Sequence, residues 1–419
     1  MRTMILRDRF SQVRPGGSIY IHVLASSLLV TIIGLGALAA VRVEMRSARL
    51  TRDYGEARAC AVSAVELGLL HVRQDPGWRT TWSSGTWLDD KALGAGHFTL
   101  LGIDPQDNLL GDSESDPLVL TGIGTRGIAR HKAQVMLVPV IEPLEALNTC
   151  LHASGLVQVK AGKQIIVVGA PVSTNALLDN DGTIDGNAEA QSVGHTGTIT
   201  GTLTVPAPSK RMPDTTVISE YISRATVVPY TGTIDKAVLT PACNPWGPTD
   251  PNGLYVLDTG GNDLIIKNSR IHGTLIVVLG SKTLTLDSAV FCQSYRSDAP
   301  VLLVQGDTII KCSSADTVLS ESVNGTNYNP AGAPYEGFSD GDVLDEYPNE
   351  IRGLVHVSGT LRLQQTARIV GAVICNGEAY AEETNTIIHD AGLYACPPDG
   401  YTYVSRMKIS PHSWKQVVD

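Results

Sequence analysis

Residues 264–291 read LIIKNSRIHGTLIVVLGSKTLTLDSAVF, and one pattern occurs in them twice. Leu264-x-Ile266, four residues and Ile271 are followed twenty residues on by Leu284-x-Leu286, four residues and Phe291, with Asn268 matched by Ser288. A third copy, Leu361-x-Leu363 to Ile369-x-Gly371, repeats Leu264 to Gly273 with one residue added. Alternation of period two is strand-like, and Asn, Ser or Gly breaks it at a turn. A unit of about twenty residues cannot bury its apolar face alone, so copies must stack with their Leu and Ile residues inside. The pattern predicts the coils of a parallel β-helix. It places Leu264 over Leu284 and Ile266 over Leu286, with Asn268 and Ser288 at matching turns where small polar residues form ladders.

The same texture extends outward. Gly-Thr-Ile or Gly-Thr-Leu begins at 182, 197, 201, 232, 273 and 359. We therefore read 150–395 as a right-handed parallel β-helix. Residues 206–253 and 313–350, rich in Pro, Asn, Asp, Ser and Gly, read as loops that leave the stack. The tail 396–419 holds Tyr401, Tyr403 and Trp414 and reads as a cap for an open coil end.

The other end of the chain is apolar. From Ser18 to Val41 the only ionisable side chains are Tyr20 and His22. About 20 apolar residues at ~1.5 Å rise each cross the ~30 Å hydrocarbon core of a bilayer, so this stretch predicts a membrane-spanning helix. The run is longer than a signal-peptide core, although Ala37-Leu38-Ala39 fits a loose cleavage pattern. Four arginines precede the span and five follow it by Arg58, which leaves its orientation open. The helical pattern continues beyond it. Ala57, Ala61, Ala64, Val65, Gly68 and Leu69 recur three or four apart, and Asp75-Pro76-Gly77 stops the run.

A basic leader, Gly17, the long apolar helix, Arg-rich turns and the segment EARACAVSAVELGLL (56–70) resemble the N-terminal region of type IV pilin-like proteins. PilX-type minor pilins and GspK-like pseudopilins are the most similar branches. The resemblance covers residues 10–75 and implies cutting by a prepilin peptidase between Gly17 and Ser18, with Gly16 as the alternative last leader residue. It also implies an inner-membrane anchor, a C-terminal domain in the periplasm or outside, and packing of the helix against other pilin-like subunits. Many pilins keep Glu at the fifth mature position, where this chain has His22. A plain single-pass anchor is the simpler reading of the same residues.

Residues 76–149 read as a small antiparallel β module, with strand-like runs separated by Asp-Pro, Asp-Asn and Gly turns. Gly122-x-Gly124-x-x-Gly127 matches a dinucleotide fingerprint in spelling only. That motif needs a following helix to aim N–H groups at a pyrophosphate, and Ile128 to Val140 reads as a strand.

The formal net charge is −10, although residues 1–58 hold nine arginines against four acids. The remainder is acidic, which argues against nucleic acid as a partner. Forty-one glycines and 5% aromatics favour turn-rich β structure over helix bundles. Seven scattered cysteines with no C-x-x-C pair exclude a metal ribbon, and an odd number leaves at least one thiol without an intrachain partner. Disulfides among the others are open.

β-Helices also carry glycan-cleaving enzymes, and such chemistry needs paired carboxylates facing one groove. Asp258, Asp263, Asp287 and Asp307 are the candidates, and in a twenty-residue register only Lys267 over Asp287 joins two charges. Asp179-Asn-Asp-Gly-Thr-Ile-Asp-Gly186 resembles a calcium loop loosely, but lacks the third acidic or amide residue before Gly and the later Glu. No nucleophile elbow, P-loop or zinc helix occurs.

The expectation is a mainly β protein with a basic leader (1–17), a transmembrane and amphipathic helix (18–75), the small sheet and the β-helix. It is read as a non-catalytic cell-envelope structural subunit of a pilus or pseudopilus. No catalytic, cofactor or metal residues are assigned; Gly17 and Ser18 are the processing site. Expected partners are the inner membrane, other pilin-like subunits and a prepilin peptidase, with a surface glycan as a further candidate. The alternative is a membrane-anchored carbohydrate-binding or carbohydrate-cleaving β-helix protein.

Overall fold

The computed structural model describes residues 18–312 and 317–417. The fold is mainly β, with one long N-terminal helix, a small antiparallel sheet and a large parallel β-helix. The chain divides into two compact units, residues 1–140 with 404–419, and residues 141–403.

In the first unit, α1 runs unbroken over Ser18–Gln74. Its 57 residues span about 85 Å at ~1.5 Å each. It stops where Asp75 caps the turn, accepting the Gly77 N–H at 2.8 Å. The sheet is a meander of β1 (Gly85–Leu93), β2 (Gly96–Ile103), β3 (Leu118–Arg126) and β4 (Ala129–Pro143), each antiparallel to the next. One face of this sheet carries Leu100, Leu118, Leu120 and Val135, all buried against Ala61, Ala64 and Val65 of α1.

The glycines spelled like a nucleotide motif have a packing role. A Cβ on Gly122 would lie 2.1 Å from the Ala61 carbonyl oxygen, and one on Gly124 would lie 1.9 Å from that of Ala57. Helix backbone thus rests directly on strand backbone. Gly127, with φ +56°, opens the two-residue link from β3 to β4.

The tail differs from expectation. Strand Thr402–Ile409 follows β4 in the small sheet, and Lys415–Val417 pairs antiparallel with it at 132–134. The β-helix is therefore inserted in sequence between β4 and the last strands of the first unit. The tail's half-exposed edge strand has too weak an alternation to be read from sequence.

In the second unit each complete coil has three strands and three corners. Leu264 pairs with Leu284, Ile266 with Leu286 and Lys267 with Asp287, the register that the repeat predicts. The columns continue through Thr308, Leu361, Ala379 and Val157, and through Ile310, Leu363, Ala381 and Val159. Asn268 and Ser288 both adopt left-handed backbone, φ +47° and +59°, at the corner. The second coil has one more residue there, so the register slips: Arg270 meets Phe291, and Ile271 meets Cys292. The sequence match of Ile271 with Phe291 is thereby corrected. A slip of one residue reverses the facing, so Cys292 lies in the interior and Phe291 outside it.

Coil order also departs from chain order. The first coil strand, Leu151–Ala153, pairs with 373–375 on one side and 172–174 on the other. From it the chain builds outward to 188–190 and 203–204. Residues 206–225, including helix Val217–Arg224, then carry it to the opposite end, where 226–227 pairs with 255–256. The coils return from there through 274–278, 302–305 and 355–357 to 373–375. The excursion at 206–253 is thus a crossover followed by a short end coil, 226–239. Trp246, which follows this short coil in sequence, packs against the interior.

Two outer faces are covered. Leu254, Val256, Ile276, Leu303, Leu354, Ala372 and Ile374 lie under Leu147, Val217, Ile218, Tyr221, Leu393 and Tyr401. Strands buried on both sides read as continuous apolar runs, as LIVVL and GAVIC do. The excursion after Cys312 closes over Val238, Ala289 and Phe291 with Leu319, Tyr328, Ala333 and Tyr347. Buried Arg270 anchors it, donating to the Tyr328 carbonyl (2.6 Å), the Ala333 carbonyl (2.8 Å) and the Pro334 carbonyl (2.7 Å). All seven cysteines are unpaired, and five are buried.

Candidate assembly surface

Helix α1 changes character along its length. From Ala57 onward one side is buried, with Ala57, Ala61, Ala64 and Val65 all at 0% exposure. Arg126 on β3 meets Asp53 at 3.6 Å and Glu56 at 3.2 Å, and His131 on β4 meets the Tyr54 hydroxyl at 3.3 Å. Toward the N-terminus the helix is exposed among the described residues. None of its most apolar 18-residue window is buried, and Ile19, Leu24, Leu28, Ile32, Leu35 and Leu38 are each 59–69% exposed. The helix is long and apolar enough to cross a membrane. Leaving such a surface in water is unfavourable, since apolar area costs roughly 25 cal/mol per Å². A lipid or protein environment removes that cost.

Ser18 is the first residue of α1. Gly17 and the rest of the leader lie outside the described residues. His22 sits on the exposed stretch, one turn into the helix.

The outward face of the strands near 264–267 carries an alternating charge pattern. Asp235, Lys267, Asp287 and Lys311 are successive partners on neighbouring coils, so opposite charges alternate along the column. Lys267 Nζ lies 3.5 Å from Asp235. Only the Lys267 and Asp287 pair keeps a twenty-residue spacing; the others are 32 and 24 apart, because insertions separate the coils. Further along the same face Glu382 meets Lys160 at 2.7 Å and Arg362 at 2.9 Å, and the Arg362 guanidinium lies 4.3 Å from the Tyr380 ring centre.

The four candidate catalytic carboxylates serve corners. Asp258 accepts the Gly260 N–H (2.8 Å), Asp263 the Thr283 N–H (2.9 Å), Asp287 the Ser288 N–H (2.8 Å) and Asp307 the Thr360 N–H (2.7 Å). Asp263 and Asp307 thereby tie one coil's corner to the next. In the strand register Asp258 is opposite Val278, Asp287 is flanked by Lys267 and Lys311, and Asp307 is opposite Thr283.

The loose calcium-loop match at 179–186 is a coil corner. Asn180 points inward, fully buried, and donates to the Thr196 and Thr198 carbonyls of the next coil at 2.8 and 3.2 Å. Asp179 accepts from His195 Nδ1 at 2.7 Å and from Gln158 at 3.0 Å. Those bonds hold its carboxyl below the usual range, and the same carboxylate raises the His195 pKa.

No family model matches the chain, and no curated protein does. The solved structures that align with it include the following two. The competence-associated pilin ComZ from Thermus thermophilus aligns over 87% of this chain and 98% of its own, at 10% identity and a TM-score of 0.31. The ice-binding protein_1 DUF3494 domain of Shewanella frigidimarina aligns over 60% of this chain and 98% of its own, at 10% identity and a TM-score of 0.27. At these scores neither alignment carries an argument about this chain.

Proposed function

We propose that this chain is a pilin-like, non-catalytic structural subunit of the cell envelope. The uncovered half of α1 anchors it in the inner membrane and packs among other pilin-like helices in a pilus or pseudopilus. The β-helix is the displayed domain, in the periplasm or beyond the cell. The observation that carries the reading is the division of α1. Its second half is held against a sheet by backbone-to-backbone packing, whereas the first half, Ile19 to Val41, is exposed among the described residues. A lone anchor needs only a span, while a subunit needs a span rigidly continued into a folded head. One uninterrupted helix provides that continuation. The use of Asp258, Asp263, Asp287 and Asp307 as backbone caps supports a display role over glycan cleavage.

The deciding experiment is mass spectrometry of the mature N-terminus, on protein made in a host with a prepilin peptidase. A chain beginning at Ser18, or at Gly17, is expected. An intact Met1 in membrane-extracted protein removes the subunit reading and leaves a plain anchor.

A further inference from the structure

The link between β2 and β3 reads Asp104-Pro-Gln-Asp107-Asn-Leu-Leu-Gly-Asp112-Ser-Glu-Ser-Asp116. One carboxylate oxygen from each of Asp104, Asp107, Asp112 and Asp116 lies within 4.8 Å of the others. Surface acids alone would mean little, but two of these are withdrawn from water: Asp104 is 1% exposed and Asp116 9%. Asp104 Oδ1 accepts the Gln106 N–H at 2.7 Å, whereas its Oδ2 is buried with no hydrogen-bond partner. A buried carboxylate oxygen without a partner is costly, and four carboxylates at this separation repel one another. Burial, then Asp104, Asp112 and Asp107, raise the Asp116 pKa against the opposing pull of Arg79.

Arg79 does not resolve the excess charge. Its hydrogen bonds go to the main-chain carbonyls of Leu110 (3.2 Å), Glu114 (3.3 Å) and Asp116, and to the Met407 sulfur. The guanidinium therefore holds the main chain of the loop, and none of these bonds goes to a carboxylate of the cluster. It supplies one positive charge beside four negative ones.

We propose that Asp104, Asp107, Asp112 and Asp116 form a calcium-binding site. The donors are hard carboxylate oxygens without sulfur or imidazole, the set that suits Ca²⁺. Ca²⁺ takes roughly 6–8 oxygens at ~2.3–2.6 Å in flexible geometry, so one irregular loop and water complete the shell, whereas Mg²⁺ demands a near-ideal octahedron. The bare Oδ2 of Asp104 becomes the buried ligand, and exposed Asp107 and Asp112 close the outer side. Bound calcium would pin the link between β2 and β3, and with it the sheet on which α1 rests.

The test uses the full-length chain in detergent, stripped with EDTA and titrated calorimetrically with Ca²⁺ and, separately, Mg²⁺. Wild type is expected to bind one Ca²⁺ with Kd below about 1 mM, and Mg²⁺ at least ~10-fold more weakly. The double variant Asp107→Asn/Asp112→Asn changes only exposed side chains. It should lose at least ~10-fold in Ca²⁺ affinity with an unchanged circular dichroism spectrum. Asp181→Asn, in the separate Asp179, Asp181 and His195 cluster, should bind as wild type does. The proposal is overturned by no Ca²⁺ binding to wild type at 10-fold above that limit, or by full affinity in the double variant. Loss of binding in Asp181→Asn alone, or equal affinity for Mg²⁺, overturns it as well.

Discussion

The helix–sheet layer and the β-helix both bring backbones closer than side chains allow, and they do so at different places. In the first unit the close approach lies in the middle of the contact. Gly122 and Gly124 sit under Ala57 and Ala61, and large residues such as Leu100 and Leu120 surround them. In the second unit the inward strand positions carry side chains, from Ala379 and Ala381 up to Leu284 and Leu286, and the close approach is moved to the corners. A Cβ on Gly371 would lie 2.0 Å from the Gly353 carbonyl oxygen of the neighbouring coil. The helix is a cylinder that touches a sheet along one line, so small residues belong on that line. Stacked coils touch along their whole perimeter at ~4.8 Å, so small residues belong where the chain must turn.

The largest expected effect tests the middle of the coil. Leu286 is fully buried between Ile266 and Ile310, so Leu286→Ala should cost about 2–5 kcal/mol, read from denaturant unfolding of the β-helix. A cost under ~1 kcal/mol would mean that its coil yields as a surface strand does.

Next in size is a pH effect confined to the second unit. His356 is fully buried, bonded to Tyr401 at 2.8 Å and Asn376 at 3.2 Å, and burial lowers its pKa to about 4. Because the folded state keeps this ring neutral, its contribution is complete above about pH 6.5 and is lost as pH falls toward 4. The difference is ~3 kcal/mol at ~1.4 kcal/mol per unit. Stability measured at pH 7 and pH 4.5 should differ less in His356→Gln than in wild type.

A smaller effect separates the two units. Gly124→Ala places a methyl group against the Ala57 backbone and should cost ~1–3 kcal/mol by overpacking. Hydrogen exchange should quicken at 57–68 and stay unchanged in the coils. Faster exchange throughout would show that the two units unfold together.

The smallest effect lies on the exposed charge column. Lys267→Ala removes a partner of Asp235 and Asp287 at a half-exposed position, for an expected ~0–1 kcal/mol that shrinks further in high salt. A larger, salt-insensitive loss would show that the column is a structural ladder.

How much was legible depended on sequence distance. The repeat of Leu264 and Ile266 at Leu284 and Leu286 could be seen because two intact coils follow one another. The charge column could not, since insertions carry Asp235 and Lys311 off the twenty-residue spacing. The one-residue slip after Asn268 was equally hidden, because Ile271 and Phe291 are both apolar and only their facing differs. The acidic loop 104–116 reads as ordinary turn residues. Its main chain is held by Arg79 from a different element, a contact the sequence does not show.

By itself the sequence determined the period of the coil, the apolar span, the small-residue face of α1 and the mainly β character. Each is a local repetition of side-chain size or polarity, and such repetition selects secondary structure directly. Only the tertiary structure decided that the first coil meets the last ones, that the tail joins the small sheet, and which outer faces are covered. Those outcomes depend on pairings between segments far apart in the chain. Many registers satisfy the same apolar alternation, and only the summed burial of the whole stack distinguishes among them.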